Sequence, residues 1–589
     1  MKTLLLAAGL FAFPLLVTIA ACGSDGAQPP GGGGGPPDAG GPDMGSPDGD
    51  AGDASPSDKP TSLFDPDHIH EVAITMPAAE WDTLRFEHND PADVLGGMCL
   101  TAPKDTPFVY HHAKMAIDGQ TFPDVAIRKK GFLGSQSVSR PSLKVKLDEY
   151  APGTTFFDTS KLTLNNNKQD FAFVRTCLAY ELYAKAGVPA SRCSFAHLTV
   201  NGADLGIYSN VEPIEKDMLA RVFPDSSGNL YEGQFSDFRD AWRDTYDKKT
   251  NSSDPDRSDL AALSDALALG DGEVLSKVDA LLDREAFLTF WAMEALVGSW
   301  DGYTNDQNNH YVYHEPKSGK FFFLPWGPDA AFTPDPRGLA DTPTSIYAWG
   351  AVPNRLYKLP EIRAAYRARA LKLLDEVMAK DAVLAELERM RALIAPYADD
   401  KEGSFKAEIA AIKAFIEARH DAVTKELDKG PVDWTTGLHG DPCVKVAGTA
   451  SGTFTTKMGT TALNNPIATG KGTSHVEIDG MTIDTSTLGV ASGLYGPSVE
   501  IQNVAFLEDG SVRVTVIFVD RTLFAPGKDL PFDWQQVYAV YGKVDLSNNH
   551  FTLLGYLDNG ALHLDQASFD KNAPVTGSFN ATLLTVAPD

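Results

Sequence analysis

Two aspartates bracket a stretch rich in side-chain oxygen donors. Asp301 follows Trp300 at the end of an apolar run, Asp329 closes Pro325-Trp326-Gly327-Pro328-Asp329, and Asn305, Asn308 and Asn309 lie between them. A magnesium or manganese ion is a hard cation that takes oxygen ligands, commonly one or two carboxylates together with substrate phosphate. In phosphoryl transfer, an Asp that receives the nucleophile's proton works beside an Asp and an Asn that hold the metal. On that pattern Asp301 is the proton acceptor, and Asp329 holds the cation with help from Asn308 or Asn309. Asn-Asp-Gly clusters also occur in ordinary surface turns. A calcium loop counted from Asp301 would need Gly at its sixth position and an acid at its twelfth; the chain has Asp306 and Val312 there, so that reading fails.

The elements that must carry these groups are legible nearby. An apolar helical run precedes Trp300, and HYVYHEPKSGKFFFLP reads as a hairpin whose ends would bring the two acids together. Upstream, Ala126 to Gly131 reads as a strand running into the polar loop GFLGSQSVSRPS. Leu143-Lys144-Val145-Lys146-Leu147 alternates strictly, which puts both lysines on one face of the next strand. A Gly/Ser-rich turn can bring backbone N–H groups to phosphates, and a lysine on the neighbouring strand can reach the same groups. Arg128, Lys130, Lys144 and Lys146 are therefore the expected phosphate-facing cations, against the alternative of a merely solvated face. KLTLNNN reads as a strand, AFVRTCLAYELYAKAG as a helix capped at Gly187, and FAHLTVNGADLGIYSNVE as a hairpin turning at Asn201-Gly202 and ending in Glu212.

Composition bounds the rest. Lys2, the apolar run Leu4–Ala20 and the small residues before Cys22 have the layout of a secretory signal, and Cys22 at that position resembles the lipidated cysteine of bacterial lipoproteins. Residues 23–60, with seven Asp against one Lys among Gly, Pro, Ala and Ser, read as a disordered tether. The expected location is the bacterial cell envelope, at the outer membrane or cell surface, with membrane attachment through the lipid anchor only. A net charge of −28 argues against nucleic acid as a partner. In an exported chain Cys177 and Cys193, flanking a helix-to-strand corner, are the favoured disulfide, leaving Cys99 with Cys443 or as buried thiols. About 530 residues after the tether exceed a single core. Residues 61–430 mix strand and helix and end, over 361–429, in segments rich in Ala, Leu, Glu, Lys and Arg at helical spacing, with no internal repeat. Residues 431–444 read as a linker, and 445–589, with VRVTVIFV, FTLLGYL and ATLLTV between turn residues, as a separate antiparallel sandwich or barrel.

The motifs together are similar to one family. Arg128-Lys129-Lys130-Gly131, Pro141 to Leu147, Leu162-Thr163-Leu164-Asn165-Asn166, Arg175 with Leu178-Ala179-Tyr180, Gly187-Val188-Pro189-Ala190, Val200-Asn201-Gly202, Gly206-Ile207-Tyr208, Val211-Glu212, Trp300-Asp301-Gly302-Tyr303 and Pro325-Trp326 occur in the order of the spore coat protein H (CotH) kinase-like proteins. The resemblance runs from about residue 68 to about 425 and implies an α+β fold of atypical, two-lobed protein-kinase type with a helical tail. It implies ATP and Mg or Mn as cofactors, an exported protein as substrate, and Glu212 among the nucleotide-binding residues. Where the family commonly has Pro-Trp-Asp-x-Asp, this chain has Gly327, so Asp329 alone would supply the carboxylate of that segment. Two function classes follow: an envelope-anchored protein kinase, and a non-catalytic structural or adhesion lipoprotein that reuses the fold.

Overall fold

The computed structural model describes residues 60–90, 99–334, 343–398, 404–439, 443–460, 470–485, 489–507, 510–545 and 550–586. The signal run, Cys22 and the tether as far as residue 59 lie outside them. No helix among the described residues is long and apolar enough to cross a membrane.

The first unit is a closed barrel of seven strands: β1 (Ile69–Thr75), β2 (His111–Ile117), β3 (Gln120–Lys130), β4 (Ser142–Lys146), β5 (Lys161–Asn165), β6 (Cys193–Val200) and β7 (Ala203–Val211). All neighbours are antiparallel except β1 and β6, whose parallel pairing closes the ring. Alternation fills it: Val72, Ile74, Met115, Ile117, Ile127, Leu143, Val145, Leu162 and Leu198 share one interior core. Asn201 and Gly202 turn between β6 and β7 with positive φ, as the Asn-Gly pair demands.

The second unit is helical around a small sheet. The helix Arg175–Lys185 leaves the barrel and joins a large core with Trp291, Tyr366 and the tail helices Pro360–Glu376, Lys380–Ile394 and Ser404–Leu427. The sheet has the order β11-β10-β8-β9, with β8 at Asn229–Gly233, β9 at Asp247–Lys248, β10 at His310–Glu315 and β11 at Lys320–Pro325. Helix Arg284–Val297 is buried over most of its length, starts under an Asp283 side-chain cap and stops at Gly298 in the left-handed region. A side chain at 298 would also strike Phe415, its Cβ only 2.7 Å from the ring. Both disulfides, Cys177–Cys193 and Cys99–Cys443, are formed.

Residues from Val444 onward form β12 (Val444–Lys457), β13 (Lys471–Ile478), β14 (Met481–Thr485), β15 (Gly489–Tyr495), β16 (Ser498–Phe506), β17 (Val512–Asp520), β18 (Lys528–Pro531), β19 (Val537–Asp545), β20 (His550–Gln566) and β21 (Pro574–Val586). Of the expected sandwich or barrel, the strands follow the barrel-like alternative: they make one antiparallel sheet that curls until β15 returns beside β12, bridging Met458 to Ser492. These strands have an inner core of their own and also pack against the two preceding units. VRVTVIFVD does not alternate cleanly, because both faces of β17 are covered. Ile517 and Val519 face the inside of the curl with Leu557 and Leu583. Val512, Val514, Val516 and Phe518 face outward, onto Leu133, Phe235 and Trp242 of the first two units. Polar contacts flank this seam: Lys129 Nζ donates to Gln535 Oε1 at 2.6 Å, and Ser139 Oγ to Asp520 at 2.7 Å. The expected linker is tied down too, since Tyr357 donates to Val432 O and His439 stacks on Trp349.

A shared apolar seam makes the parts interdependent. A chain ending at Gly430 would present Leu133, Phe235 and Trp242 to water, so it should unfold at a lower temperature than the full chain. The full chain should unfold in a single calorimetric transition; two well-separated transitions would show independent domains.

Candidate functional site

A cavity of about 330 Å³ opens where the mouth of the barrel faces the small sheet. Its barrel side is built by the ends of β3, β4 and β5. Arg128 pairs in register with Lys144, and Lys130 with Ser142, so Arg128, Lys130 and Lys144 lie on one face and all line the cavity. The loop after β3 adds Gly131, Phe132, Gly134 and Ser135. Gly131 has φ +125°, and a Cβ there would meet Ser135 Oγ at 2.7 Å. Asn166 holds this loop from below, donating to Ser135 O at 2.9 Å and to Arg140 O at 2.6 Å. Asn89 closes it from the other side through Gly131 O.

The opposite wall comes from the hairpin. His310 pairs with Pro325 at the open end of β10–β11, and Trp326 N donates to Asn309 O, so the chain before β10 and the chain after β11 are neighbours. Asp301, Asn308, Asn309, Trp326, Gly327 and Asp329 therefore all line the cavity. Asp301 accepts from Asn308 Nδ2 at 3.1 Å and from Asn309 Nδ2 at 2.6 Å. Its loop rests on buried Glu294, whose carboxylate accepts from Tyr303 N at 3.0 Å and Thr304 N at 2.7 Å. Asn305 turns away and donates to Trp300 O. Gly327 has φ +51°, and a Cβ there would come within 3.1 Å of the Asn309 amide. The departure from the family pattern thus has a local physical correlate: Asn309 takes up space that a side chain at 327 would need.

Opposite charges meet out of water. Burial drives Lys130 down to about 7, with Lys144 adding to the fall and Asp329 opposing it. Burial also lowers Lys144, against the pull of Glu232. Burial lifts Asp329 to about 6, opposed first by Lys130. Lys130 donates to Asn165 Oδ1, and its ammonium stands 5.4 Å from the centre of the Trp326 ring.

Two expected residues lie elsewhere. Lys146 is two register pairs further from the mouth; it bonds Glu149 at 2.7 Å and sits over Tyr110. Glu212 is clamped between Arg192 and Arg221, its carboxylate facing a smaller cavity of about 120 Å³ with Lys161 and Glu215. Two strand acids reach the main cavity, Glu232 of β8 and Asp247 of β9, each paired with Lys249 at 2.9 Å. Burial acts to raise Glu232, but Lys249 and Lys144 outweigh it and hold the carboxyl below its usual value. Its only sequence signal was a short strand, NLYEG, followed by the charged pair Lys248-Lys249. The segment Leu100–Phe108, pinned by the Cys99–Cys443 bridge, covers one side of the cavity and had no periodic signal at all.

The family model described as CotH kinase protein matches residues 127–423, half of the chain, and the protein belongs to that family. Inner spore coat protein H of Bacillus subtilis (strain 168) is 23% identical over 284 residues, covering 45% of this chain and 78% of that protein. Invasins CotH2 and CotH7 of Rhizopus delemar are each 23% identical, over 195 and 251 residues, covering 30% and 40% of this chain but only 33% and 42% of the invasins' own length. A crystal structure of the Helicobacter pylori proinflammatory kinase CtkA aligns over 49% of this chain and 95% of its own at 11% identity, with a TM-score of 0.22. The family match contains every cavity residue named above except those of Leu100–Phe108 and Asn89, while the C-terminal sheet lies outside it.

Gly302 is the tightest point beneath Asp301: a Cβ there would lie 2.1 Å from Glu294 Oε1. Gly302→Ala should cost about 1–3 kcal/mol, the range of overpacking in a filled interior. Urea unfolding of the variant beside the parent measures it, and an unchanged midpoint would show that Glu294 moves aside freely.

Proposed function

We propose that this cavity transfers the terminal phosphoryl group of ATP to a hydroxyl of an exported protein, on a chain tethered to the bacterial envelope through Cys22. The observation that carries the reading is convergence. Arg128, Lys130 and Lys144 from the barrel and Asp301, Asn308, Asn309 and Asp329 from the hairpin line one cavity, although they come from separate units. Asp301 receives the substrate hydroxyl's proton; Lys130 and Lys144, with Arg128, hold the phosphates; the loop after β3 offers backbone N–H groups beside them. The two units on either side of the cavity serve as the lobes of a kinase-like fold. The donor set of Asp329 with the amide oxygens of Asn308 and Asn309 is all oxygen and suits Mg or Mn. Such an ion would supply charge neutralisation at the phosphates. The family supports the reading through its description as a kinase protein.

A non-catalytic envelope or adhesion role is the alternative reading. Gly327, which brings no carboxylate to the metal segment, favours it, as does the hold of Asn308 and Asn309 on Asp301. Incubating the full chain after its tether with labelled ATP and Mg or Mn separates the two. Incorporation that Asp301→Ala lowers by about 10²–10⁴-fold, with folding intact, is the expected result for a positioned acid–base group. No incorporation into the chain or added envelope proteins, under conditions where ATP binds, would leave the scaffold reading.

Lys144→Met should weaken ATP binding roughly 10–100-fold, the worth of one charge-assisted hydrogen bond of about 1.5–3 kcal/mol. Lys146→Met should leave it unchanged, and calorimetric titration of both variants distinguishes them. Equal effects would mean that the register seen between β3 and β4 does not select the phosphate-facing lysine.

Because burial lifts Asp329 to about 6, a proton competes with the cation below that value. Mn binding should therefore weaken about tenfold for each pH unit below about 6 and level off above it. In Asp329→Asn the pH dependence should vanish along with most of the affinity. A wild-type profile flat down to about pH 5 would put the cation on other groups.

A further inference from the structure

At the end of the barrel away from the cavity, three side chains gather that the phosphoryl-transfer reading does not use. His68 immediately precedes β1, His70 is its second residue, and Asp118 begins the tight turn between β2 and β3. β1 and β2 are paired, so the turn lies beside the start of β1; Asp118 N donates to Glu71 O at 2.9 Å, and Glu71 N to Asp118 Oδ1 at 2.8 Å. These backbone bonds fix the carboxylate so that its other oxygen, Oδ2, faces both imidazoles. His70 Nδ1 is 2.7 Å from it and His68 Nε2 is 3.3 Å from it.

The histidine contacts are not those of a simple ion-pair cluster. Among the described residues, the buried His68 Nε2 has no hydrogen-bond partner, although the Asp118 carboxylate lies at ion-pair distance, 3.3 Å. His70 is fully buried, and its Nε2 is likewise without a partner. Behind it stands Phe156, its ring at 83° to the imidazole and 6.0 Å away between centroids, so an apolar wall backs the ring. The imidazoles themselves meet at 72° with centroids 4.8 Å apart, an arrangement in which they converge on the carboxylate from different directions. One donor atom from each of the three residues falls within a sphere where all lie within 4.8 Å of one another.

We propose that His68, His70 and Asp118 bind a divalent transition-metal ion of the zinc class, which pins the start of β1 to the β2–β3 turn. Two imidazole nitrogens and one carboxylate oxygen are a common three-ligand protein set for such an ion, with solvent completing the coordination. Bonds of about 2.0–2.1 Å to a tetrahedral ion separate its ligands by about 3.3 Å. The His68–Asp118 spacing of 3.3 Å already matches that; as the ion enters, the His70–Asp118 contact must open slightly and the two imidazole nitrogens, which lie within 4.8 Å, must draw together. Neutral His70 gives the ion its Nδ1 lone pair and keeps its single proton on Nε2; no group is oxidised or reduced. Side-chain exposures of 29% for His68 and 21% for Asp118, against 1% for His70, give the ion an entry path and the water ligand a place. The all-oxygen set around Asp329 prefers harder cations, so the two sites select different ions.

The test uses the full chain after its tether, stripped with a chelator and titrated with Co(II), then with Zn(II) as competitor. The expected result is the intense visible absorption of four-coordinate cobalt, bleached by zinc, together with a zinc-dependent rise in melting temperature. His68→Ala removes a partly exposed ligand outside the core and should weaken cobalt binding by at least the roughly 10–100-fold that even an outer-shell partner contributes. Asp118→Asn is a further variant: Asn tolerates the φ of +48° at this turn, so it withdraws the charged ligand while keeping the backbone. Asp329→Asn should keep the visible band, which separates this site from the proposed catalytic one. Absence of the band in the wild type, a band that appears only at large metal excess, or a band unchanged in folded His68→Ala would each overturn the proposal.

Discussion

One buried guanidinium joins the parts on which the site depends. Arg175 is 2% exposed; it donates to Glu408 of the tail helix at 2.6 Å and to Ala331 O at 2.7 Å, with Asp170 3.4 Å from its Nε. Ala331 is two residues past Asp329, so this side chain ties the helix between β5 and β6, the Asp329 segment and the helical tail to a common point. A buried charge of this kind is tolerable only because every direction around it is answered; removing one partner would strand the rest in a medium that cannot solvate them. Asp170 shows the strain of that balance, since burial lifts its carboxyl to about 7 although Arg175 pulls it down. The family match ends at residue 423, within the helix that carries Glu408, which gives the tail a physical reason to belong to the kinase-like unit.

The same balance governs the cavity. The chain as a whole is acidic, with a net charge of −28, yet its cavity lining is balanced, Lys104, Arg128, Lys130, Lys144 and Lys249 standing against Asp105, Glu232, Asp247, Asp301 and Asp329. Desolvation depresses Lys130 and Lys144, and the neighbouring carboxylates of Asp329 and Glu232 compensate only in part. A polyphosphate entering such a site would restore charge to partly desolvated cations, so ligand binding and ionisation favour each other. Glu232 also links the two sides of the cavity, because with Lys249 and Lys144 it forms a mixed-charge chain that spans from β8 of the small sheet to β4 of the barrel.

The C-terminal sheet belongs to this arrangement more closely than an appended module would. Around β17 it is apolar on both faces. The inner face makes its own core, and the outer one covers Leu133 in the loop after β3 and Trp242 beyond β8. Lys129, between the cavity-facing Arg128 and Lys130, points the other way and finds Gln535 and Arg85 O. Strand alternation thus assigns adjacent basic residues opposite duties, one side to the cavity and the other to the seam.

Local sequence determined what depends on near neighbours. The Lys144–Lys146 alternation, the Asn201-Gly202 turn, the Gly187 helix cap, the hairpin that brings Asp301 toward Asp329 and the order of oxygen donors were all legible, because periodicity and turn chemistry act over a few residues. The choice of Lys144 over Lys146 was not, since it depends on where β4 sits against β3 and how far each pair lies from the barrel mouth. Glu212 and Glu232 each end or nearly end a short strand; only packing shows that Arg192 and Arg221 enclose Glu212 while Glu232 faces the cavity. The two covered faces of β17 were equally hidden, because an apolar run reads the same whether one layer or two lie over it. Residue types and their local periods were decided by the sequence alone. Which of those residues share a desolvated space was decided by the tertiary structure, because burial and charge balance are properties of distant segments brought together.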